Sequence, residues 1–327
     1  MNIVFIYNSL QSFVKIDLDL LKDNNHVVPI NYKWNKNFNP ELNHIIQKCD
    51  VVVGWWASLH MLIPTIIANR YKKPVLIIGG DYDIIFQKKN KSTKRIIYDK
   101  FRKYLGYYLF PRIDKFIVNS DFSFNQAIKL PYIDQEKVIR VYHGLKDITE
   151  NFVEVEKEYI LTVGNVNKYD IYRKGLKTFV ESSKLLTDHN FKLVGKWRDN
   201  SINILKSIND KNIDYTDFIP DIDLHHVMNR SKVYVQVSSH EGFGMSLAEA
   251  MLFKNIPVVT NNGAIPEVVG DTGVYVPYND PITTAEVIKD VFLNPGDRGI
   301  KARDRILSLF PIEKRRNELI RVINNIR

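Results

Sequence analysis

The stretch Ser238–Glu249, SSHEGFGMSLAE, predicts a strand, a glycine loop and a helix in immediate succession. The preceding residues 233–237, VYVQV, form a short apolar run rich in β-branched side chains, which is typical of a buried strand. After the loop, Leu247, Met251 and Leu252 recur at helical spacing. We therefore expect the chain to turn sharply from a sheet into a helix at this point.

The loop within this stretch has the composition of an anion site flanked by two acids. Gly242 and Gly244 allow the backbone to approach a ligand closely, and the start of a helix presents free N–H groups to a negative charge. Glu241 and Glu249 flank the loop and would reach past a bound phosphate to hydroxyl groups, which describes a nucleotide-sugar pocket. The alternative is a capping box, in which Glu249 only bonds the backbone of Ser246.

The stretch resembles the signature of the family-4 retaining glycosyltransferases of the GT-B fold, in which seven residues separate two glutamates. Glu241 and Glu249 match that spacing. The resemblance continues through residues 256–276, where four residues stand at family-like positions: Gly263, Pro266, Glu267 and Gly273. It covers most of residues 159–327 and extends to the N-terminal half in outline.

The resemblance implies that Glu249 binds ribose hydroxyls and that Glu241 touches the hydroxyls of the donor sugar. It also implies transfer with retention from a UDP-sugar or GDP-sugar, with no metal and no other cofactor. The remaining predicted donor contacts come from this loop and from the first loop of the second domain: Gly242, Phe243, Gly244, Met245, Ser246, Leu247, Gly164 and Asn165.

The first loop of the second domain, Gly164–Gly175, supplies the predicted cations. Many family members have a basic residue after the first glycine and another before the second glycine; here Asn165 fills the first position and Lys174 the second. We predict that Glu241, Lys174 and its neighbour Arg173 are catalytic, and that the two cations neutralise the leaving diphosphate. The alternative is that both are ordinary first residues of a helix over Gly175–Leu186, although cations there oppose the helix dipole.

Strand-like and helix-like segments alternate along the whole chain, which predicts parallel sheets covered on both faces. We expect two Rossmann-like α/β domains of the GT-B type that face a cleft. The first, residues 1–148, would bind the acceptor, and the second, residues 149–310, would bind the nucleotide sugar. By resemblance, residues 311–327 would form a helix that returns to the first domain.

Composition limits the class of protein. The 327 residues are 45% hydrophobic, which is enough for two cores, and the single cysteine, Cys49, excludes an internal disulfide and a cysteine-based zinc site. A reducing cytoplasm fits this cysteine usage. We expect neither a signal peptide nor a membrane-spanning helix, because Met1 runs directly into a strand-like segment and no apolar run approaches ~20 residues.

Several residues of the first domain are candidates for the acceptor side. Trp55 and Trp56 end the third predicted strand, where they would either form an aromatic wall for the acceptor or pack the next helix. In many family members a histidine ends the fourth strand; here Gly80 takes that place, and we predict a catalytic role for the following Asp81. We read the triplet Asp81–Asp83 as a chance match to an acidic metal motif and predict no metal site.

The net charge of +9 is concentrated in one segment. Residues 88–103 hold eight Lys or Arg and one acid, a net charge of +7, while residues 1–150 together carry +8. A basic helix with aromatic residues can lie on an anionic membrane, so we predict peripheral membrane or acceptor contacts here: Lys94, Arg95, Lys100, Arg102 and Lys103. The alternative is a surface helix whose apolar stripe packs on the sheet. Nothing else supports a nucleic-acid partner.

Three classes of function stay open from the sequence. The first is a hexosyltransferase that uses a glycan or lipid-linked acceptor, at the inner face of the cell membrane. The second is a nucleotide-sugar epimerase of the same architecture, for which His60, His143 and Asp81 are the available acid–base groups. The third is a non-catalytic nucleotide-sugar-binding subunit, which Asn165 and Gly80 would favour and the intact glutamate pair disfavours.

Overall fold

The computed structural model describes residues 1–33, 41–85 and 93–326, with side chains at all of these except Tyr82 and residues 93–95. The chain divides into two compact units. One comprises Met1–Gly144 together with the segment that begins at Ile312, and the other comprises Leu145–Pro311. The first unit thus ends four residues before the expected boundary at residue 148.

The first unit contains a parallel sheet of six strands in the described residues, in the order β2-β1-β3-β4-β5-β6. The strands are Asn2–Tyr7 (β1), His26–Asn31 (β2), Val51–Trp55 (β3), Val75–Ile78 (β4), Lys115–Val118 (β5) and Val138–Arg140 (β6). The chain moves outward from β1 to β2 and then reverses through β3, so the strand order changes direction between β1 and β3.

The second unit repeats this plan, with a parallel sheet of six described strands in the order β12-β11-β10-β7-β8-β9. Its strands are Tyr159–Val163 (β7), Asn190–Val194 (β8), Ile213–Thr216 (β9), Ser231–Gln236 (β10), Ile256–Val259 (β11) and Val274–Tyr275 (β12). The order reverses between β7 and β10. Open parallel sheets bind ligands at the carboxyl ends of the strands beside such a reversal.

The α-helices cover both sheets and alternate with the strands. In chain order they are Ser12–Lys22 (α1), Leu42–Lys48 (α2), Leu62–Arg70 (α3), Asp81–Ile84 (α4), Thr93–Leu109 (α5), Asp121–Ala127 (α6), Asp170–Arg173 (α7), Leu176–Leu185 (α8), Ser201–Ile208 (α9), Asp221–Asn229 (α10), Met245–Leu252 (α11), Ile265–Val269 (α12), Pro281–Leu293 (α13), Arg298–Leu309 (α14) and Ile312–Asn324 (α15).

Both faces of the first sheet are buried, as the doubly wound plan requires. Along β1, Val4 and Ile6 belong to one apolar core, while Ile3 and Phe5 belong to another on the opposite face. This alternation follows from the two-residue period of a strand. The expected α/β fold of two Rossmann-like parallel-sheet domains is therefore confirmed.

A buried ion pair fastens α15 to the rest of the first unit. The guanidinium of Arg315, 1% exposed, contacts both carboxylate oxygens of Asp17 on α1 at 2.5 and 2.6 Å. The same guanidinium donates to the carbonyls of Val141 and Tyr142 at 3.1 and 2.8 Å. Because every charge in this cluster has a partner, the helix can bury an arginine in the core.

Candidate functional site

Helix α11 begins at the glycine loop with its backbone N–H groups uncapped by any described side chain. Gly244 is the N-cap, with a φ of 97° that only glycine adopts without strain. The first-turn residues Met245, Ser246 and Leu247 lack intrahelical acceptors, since the first helical bond runs from the Ala248 N–H to the Gly244 carbonyl. The alternative capping box is wrong, because Ser246 lies inside the helix and does not cap it.

Glu241 lies at the centre of a charged cluster between the ends of β7 and β10. Its Oε1 atom is 3.2 Å from Nη1 of Arg173 and 3.5 Å from Nζ of Lys174. The hydroxyl of Ser238 donates to the same oxygen at 3.2 Å. The structure thus brings together three predicted catalytic side chains that are separated by up to 68 positions in the sequence.

The electrostatics of this cluster keep its charges in place. Burial alone would raise the pKa of Glu241, but the adjacent Lys174 and Arg173 outweigh it and hold the pKa below its ordinary value. Burial likewise opposes the charge of Arg173, yet Glu241 and Asp170 raise the pKa of that guanidinium. An ionised carboxylate between two cations therefore occupies the site across the neutral pH range.

A short helix that the sequence did not reveal positions the two cations. Arg173 ends α7, where its Nε donates to Asp170 Oδ1 at 2.8 Å, and Lys174 follows directly. The longer helix α8 starts at Leu176 after Gly175. Neither cation is therefore a first-turn residue of that helix, which contradicts the alternative interpretation. The unfavourable dipole contact expected there does not arise, and both side chains turn towards Glu241.

Gly263 permits the close packing that shapes the Glu241 loop. A Cβ on Gly263 would lie 2.6 Å from both the backbone nitrogen and the carbonyl oxygen of Glu241, and its φ is 64°. The next residue, Ala264, donates its N–H to the Glu241 carbonyl at 2.8 Å. The glycine turn after β11 therefore supports the loop after β10 from behind.

Glu249 has an environment opposite to that of Glu241. It lies partly buried on α11 and makes no hydrogen bond or ion pair with the residues that the structure describes. Burial and the neighbouring carboxylate of Asp221 raise its pKa to about 8. The two glutamates are thus electrostatically distinct, and Glu249 has hydrogen-bonding capacity left for a ligand.

The other predicted donor residues take varied positions. Gly164 lies under the aliphatic stem of Lys174, where a Cβ would come within 2.8 Å of Lys174 Cδ. Asn165 is exposed beside it. Phe243 is 4% exposed and packs on Phe310 with ring centroids 5.2 Å apart, so its side chain belongs to the core of the second unit.

Several side chains around Glu241 were not predicted from the sequence. Ser238 is fully buried and bonds Glu241, and the Thr260 hydroxyl donates to the Ser238 carbonyl at 2.6 Å. His240 Nδ1 shares a hydrogen bond of 3.1 Å with the Ser239 hydroxyl, and burial together with Arg173 lowers the pKa of His240. Their position in the sequence, next to Glu241 and directly after a predicted central strand, is the feature from which they could have been predicted. Gln236, 4% exposed, has no partner for its amide among the described residues.

The candidates of the first unit are mostly structural. Trp55 is 1% exposed and donates its indole N–H to Asp17 at 2.9 Å, so it packs in the core, but against the preceding helix α1 and not the next helix. Trp56 is partly buried and has a left-handed φ of 67°. His143 stacks on the Trp55 ring, and burial lowers its pKa; burial lowers the pKa of His60 to about 4.

Asp81 begins α4 at the carboxyl end of β4. Its Oδ1 accepts a hydrogen bond from the Ser123 hydroxyl at 2.9 Å. The neighbouring Asp83 accepts the Gly80 N–H at 2.9 Å, and burial raises the pKa of Asp83 to about 6. Asp81 is thus held by the first turn of α6 at the edge where ligands of parallel sheets bind.

The predicted basic residues on α5 separate into three groups. The side chains of Lys94 and Arg95 lie outside the described residues. Lys100 and Lys103 are exposed. Arg102 instead turns inward, and its side chain is 9% exposed in an ion pair of 3.4 Å with Asp99.

The described ranges are residues 1–33, 41–85 and 93–326. They contain no group of three or more His, Cys, Asp or Glu side chains arranged to hold a metal ion. None of their helices is both long and apolar enough to cross a membrane.

Residues 146–306, nearly all of the second unit, match the model of the family described as glycosyl transferases group 1. The chain carries a group 1 glycosyltransferase domain. Within this glycosyltransferase domain, the match begins before β7 and includes Arg173, Lys174, Glu241 and Glu249.

Comparisons outside the family model agree with this assignment. A segment of 69 residues is 41% identical to O-antigen chain mannosyltransferase B of Escherichia coli, but it spans only 21% of this chain and 18% of that relative. Anabaena HepE, solved with UDP and glucose, aligns over 99% of this chain and all of its own, with 14% identity and a TM-score of 0.77. A glycosyltransferase from Rickettsia africae aligns over 99% and 98%, with 17% identity and a TM-score of 0.74. These likenesses show the GT-B fold.

Proposed function

We propose that this chain is a retaining hexosyltransferase that moves a sugar from a nucleoside-diphosphate sugar to a glycan or lipid-linked acceptor. The observation that carries the proposal is the position of Glu241, between Arg173 and Lys174 and at the uncapped start of α11. A pyrophosphate and a sugar need cations, N–H donors and a hydroxyl-binding carboxylate at one place, and these groups supply all three.

The residues suggest how the donor is activated. The bond between the anomeric carbon and the diphosphate breaks, so negative charge grows on the leaving oxygens. Lys174, Arg173 and the first-turn N–H groups of α11 are preorganised to receive that charge, which is how such groups accelerate transfer. With cations in this place, we propose that transfer needs no metal.

The acceptor hydroxyl would then form a new bond to the anomeric carbon on the face that the diphosphate leaves. Its proton passes to the departing phosphate oxygen, so the products are the glycosylated acceptor and a nucleoside diphosphate. Glu241 is proposed to hold donor-sugar hydroxyls and Glu249 to hold those of the ribose. This geometry gives net retention without a protein nucleophile.

The proposed substrates are a UDP-sugar or GDP-sugar and an anionic or lipid-linked acceptor. The partial likeness to an O-antigen mannosyltransferase supports mannose as the first hexose to test. The exposed, basic and aromatic surface of α5 supports a reaction at the inner face of a cell membrane. Cys49, buried in the first unit, is compatible with the reducing cytoplasm there.

No observation favours the epimerase alternative. Of its three candidate acid–base groups, His60 and His143 are 3% and 7% exposed and belong to the packed interior of the first unit, and Asp81 accepts a hydrogen bond from Ser123. A non-catalytic binding subunit could function without close contacts between Glu241 and the two cations. The intact contacts of Glu241 with both cations favour a catalytic site instead.

A thermal-shift panel with UDP, GDP, ADP and CMP in EDTA tests the donor site. A ligand at about 100 times its dissociation constant stabilises the folded state by ~2.7 kcal/mol, which raises the melting temperature by a few degrees. We expect one diphosphate to give this shift and K174Q to reduce it. The matched control is K177Q on α8, which removes a partly buried lysine paired with Glu181 at 2.9 Å.

Sugar transfer from the nucleotide so identified is then measured with labelled donor and membrane lipid extract. Loss of Lys174 should lower the rate by ~10²–10³, as expected for one lost donor to the leaving group. The proposal fails if K174Q and E241A transfer sugar at the wild-type rate. Isomerisation of the donor without any acceptor would support the epimerase.

A further inference from the structure

Helix α5 exposes an apolar stripe. Ile97, Phe101, Tyr104 and Tyr108 recur at intervals of four, three and four residues, which places them on one face of the helix. They are 63%, 45%, 74% and 37% exposed. At 1.5 Å per residue the stripe is about 16 Å long.

The opposite face of α5 buries two leucines near its C-terminal end, but elsewhere it is charged and small where an ordinary surface helix is apolar. Asp99 and Arg102 form their ion pair there, with side chains 8% and 9% exposed. Gly106 abuts the ring of Tyr132, where a Cβ would lie 2.6 Å from a ring carbon. Surface helices usually bury the apolar stripe and expose the charges, so packing against the sheet does not explain this stripe.

Cations line the exposed stripe. Lys100 and Lys103 are exposed on the flank of the stripe. The guanidinium of Arg112 lies 3.9 Å from the centre of the Tyr108 ring. The sequence of residues 88–103 carries a net charge of +7. Aromatic and aliphatic side chains flanked by lysines are the composition of a helix that lies in the plane of an anionic membrane surface.

We propose that the stripe of α5, Ile97, Phe101, Tyr104 and Tyr108, docks the chain on a bilayer that contains anionic phospholipid. This inference extends the proposed function, because it places the enzyme where a lipid-linked acceptor resides. Charge selects the lipid surface over a second copy of this chain, since two copies facing each other here would bring two strongly positive segments together.

Co-sedimentation of the full chain with vesicles tests the proposal without any donor or acceptor. One set of vesicles is phosphatidylcholine, and the other contains equal parts of phosphatidylcholine and phosphatidylglycerol. We expect binding to the mixed vesicles only, and a loss of at least tenfold in F101S/Y104S. K100Q/K103Q should weaken binding by about fivefold per lysine at low salt. The matched control, L293S/I300S, removes two side chains that are 62% and 53% exposed in the second unit.

Each other outcome overturns the proposal. Equal binding to both vesicle types would remove the role of charge, and undiminished binding of F101S/Y104S would remove the role of the stripe. A concentration-dependent dimer that F101S/Y104S abolishes, with no vesicle binding, would identify a second copy as the occupant. Because F101S/Y104S should keep the full thermal shift with nucleotide, failure of docking and failure of the donor site give different results.

Discussion

Glu249 and Glu241 bracket one glycine loop, yet their carboxyl groups respond to pH in opposite ways. Burial and Asp221 raise the pKa of Glu249 from 4.5 to about 8, so the stability contributed by this carboxyl is fully present below pH 4.5 and is lost as the pH rises from there to about 8. We expect E249Q to match the wild-type melting temperature near pH 4 and to exceed it by a few degrees near pH 9. E286Q, at an exposed position on α13, is the control and should give no pH-dependent difference.

The same variant should lose affinity for nucleotide. A hydrogen bond to a charged group contributes about 1.5–3 kcal/mol, so at pH 9, where Glu249 is ionised, E249Q should weaken binding of the diphosphate by roughly 10–100-fold. Titration calorimetry with the nucleotide identified by thermal shift measures this loss. If E249Q gains stability and also keeps the wild-type affinity for nucleotide, Glu249 does not bind the ribose.

At the residue scale, the sequence identified the acids and cations through their spacing and family likeness. It could not supply their partners. Ser238 reaches Glu241 only because β10 ends where it does, and Asp170 fixes Arg173 through a four-residue helix too short to have a periodic pattern. Trp55 turned inward because its indole N–H meets Asp17, 38 positions away.

The turn after β11 allows a prediction at the scale of the element. G263A would place a methyl group 2.6 Å from the backbone of Glu241, in addition to a strained φ of 64°. We expect it to lower sugar transfer and the melting temperature together, because the Glu241 loop must shift. G296A is the control, since its φ of 53° is similar but its nearest neighbour is a flexible Arg298 atom at 3.8 Å. If both variants lose equal activity, backbone strain alone is responsible.

The last helix allows a second prediction at this scale. D17A leaves the guanidinium of Arg315 buried without its counter-ion and should cost about 3–5 kcal/mol of unfolding free energy. D23A removes the analogous exposed pair with Arg316, whose side chains are 48% and 35% exposed, and should cost less than about 1 kcal/mol. Urea denaturation of both variants measures the contrast. Equal costs would contradict the role given to the buried pair.

Most strands were predictable as elements because they are short runs rich in β-branched or aromatic residues between turn residues. The two-residue strand β12 was not, because so short a segment has no period to detect. Helix α5 was predictable as a helix but not in its orientation. Hydrophobicity selects Ile97 and Phe101 as the buried face, whereas the structure buries the Asp99–Arg102 pair.

At the scale of the whole molecule, the two units differ in how the chain forms them. The second is one continuous segment, Leu145–Pro311, with its own apolar core. The first needs α15, whose Leu319 and Val322 are part of its core. We expect a fragment of residues 145–311 to fold and bind nucleotide by itself. A fragment of residues 1–144 should fold only when residues 312–326 are fused to it, which circular dichroism and thermal melts can measure.

The ion pair between Asp17 and Arg315 also has a consequence for synthesis on the ribosome. Its two halves are 298 positions apart, so at about 5–20 residues per second the arginine is made roughly 15–60 s after the aspartate. During that interval the nascent first unit holds an unpaired acid and an open apolar face, whereas the second unit can already close. The order of folding is therefore expected to be the reverse of the order of translation, and the N-terminal half is the part that most needs a chaperone.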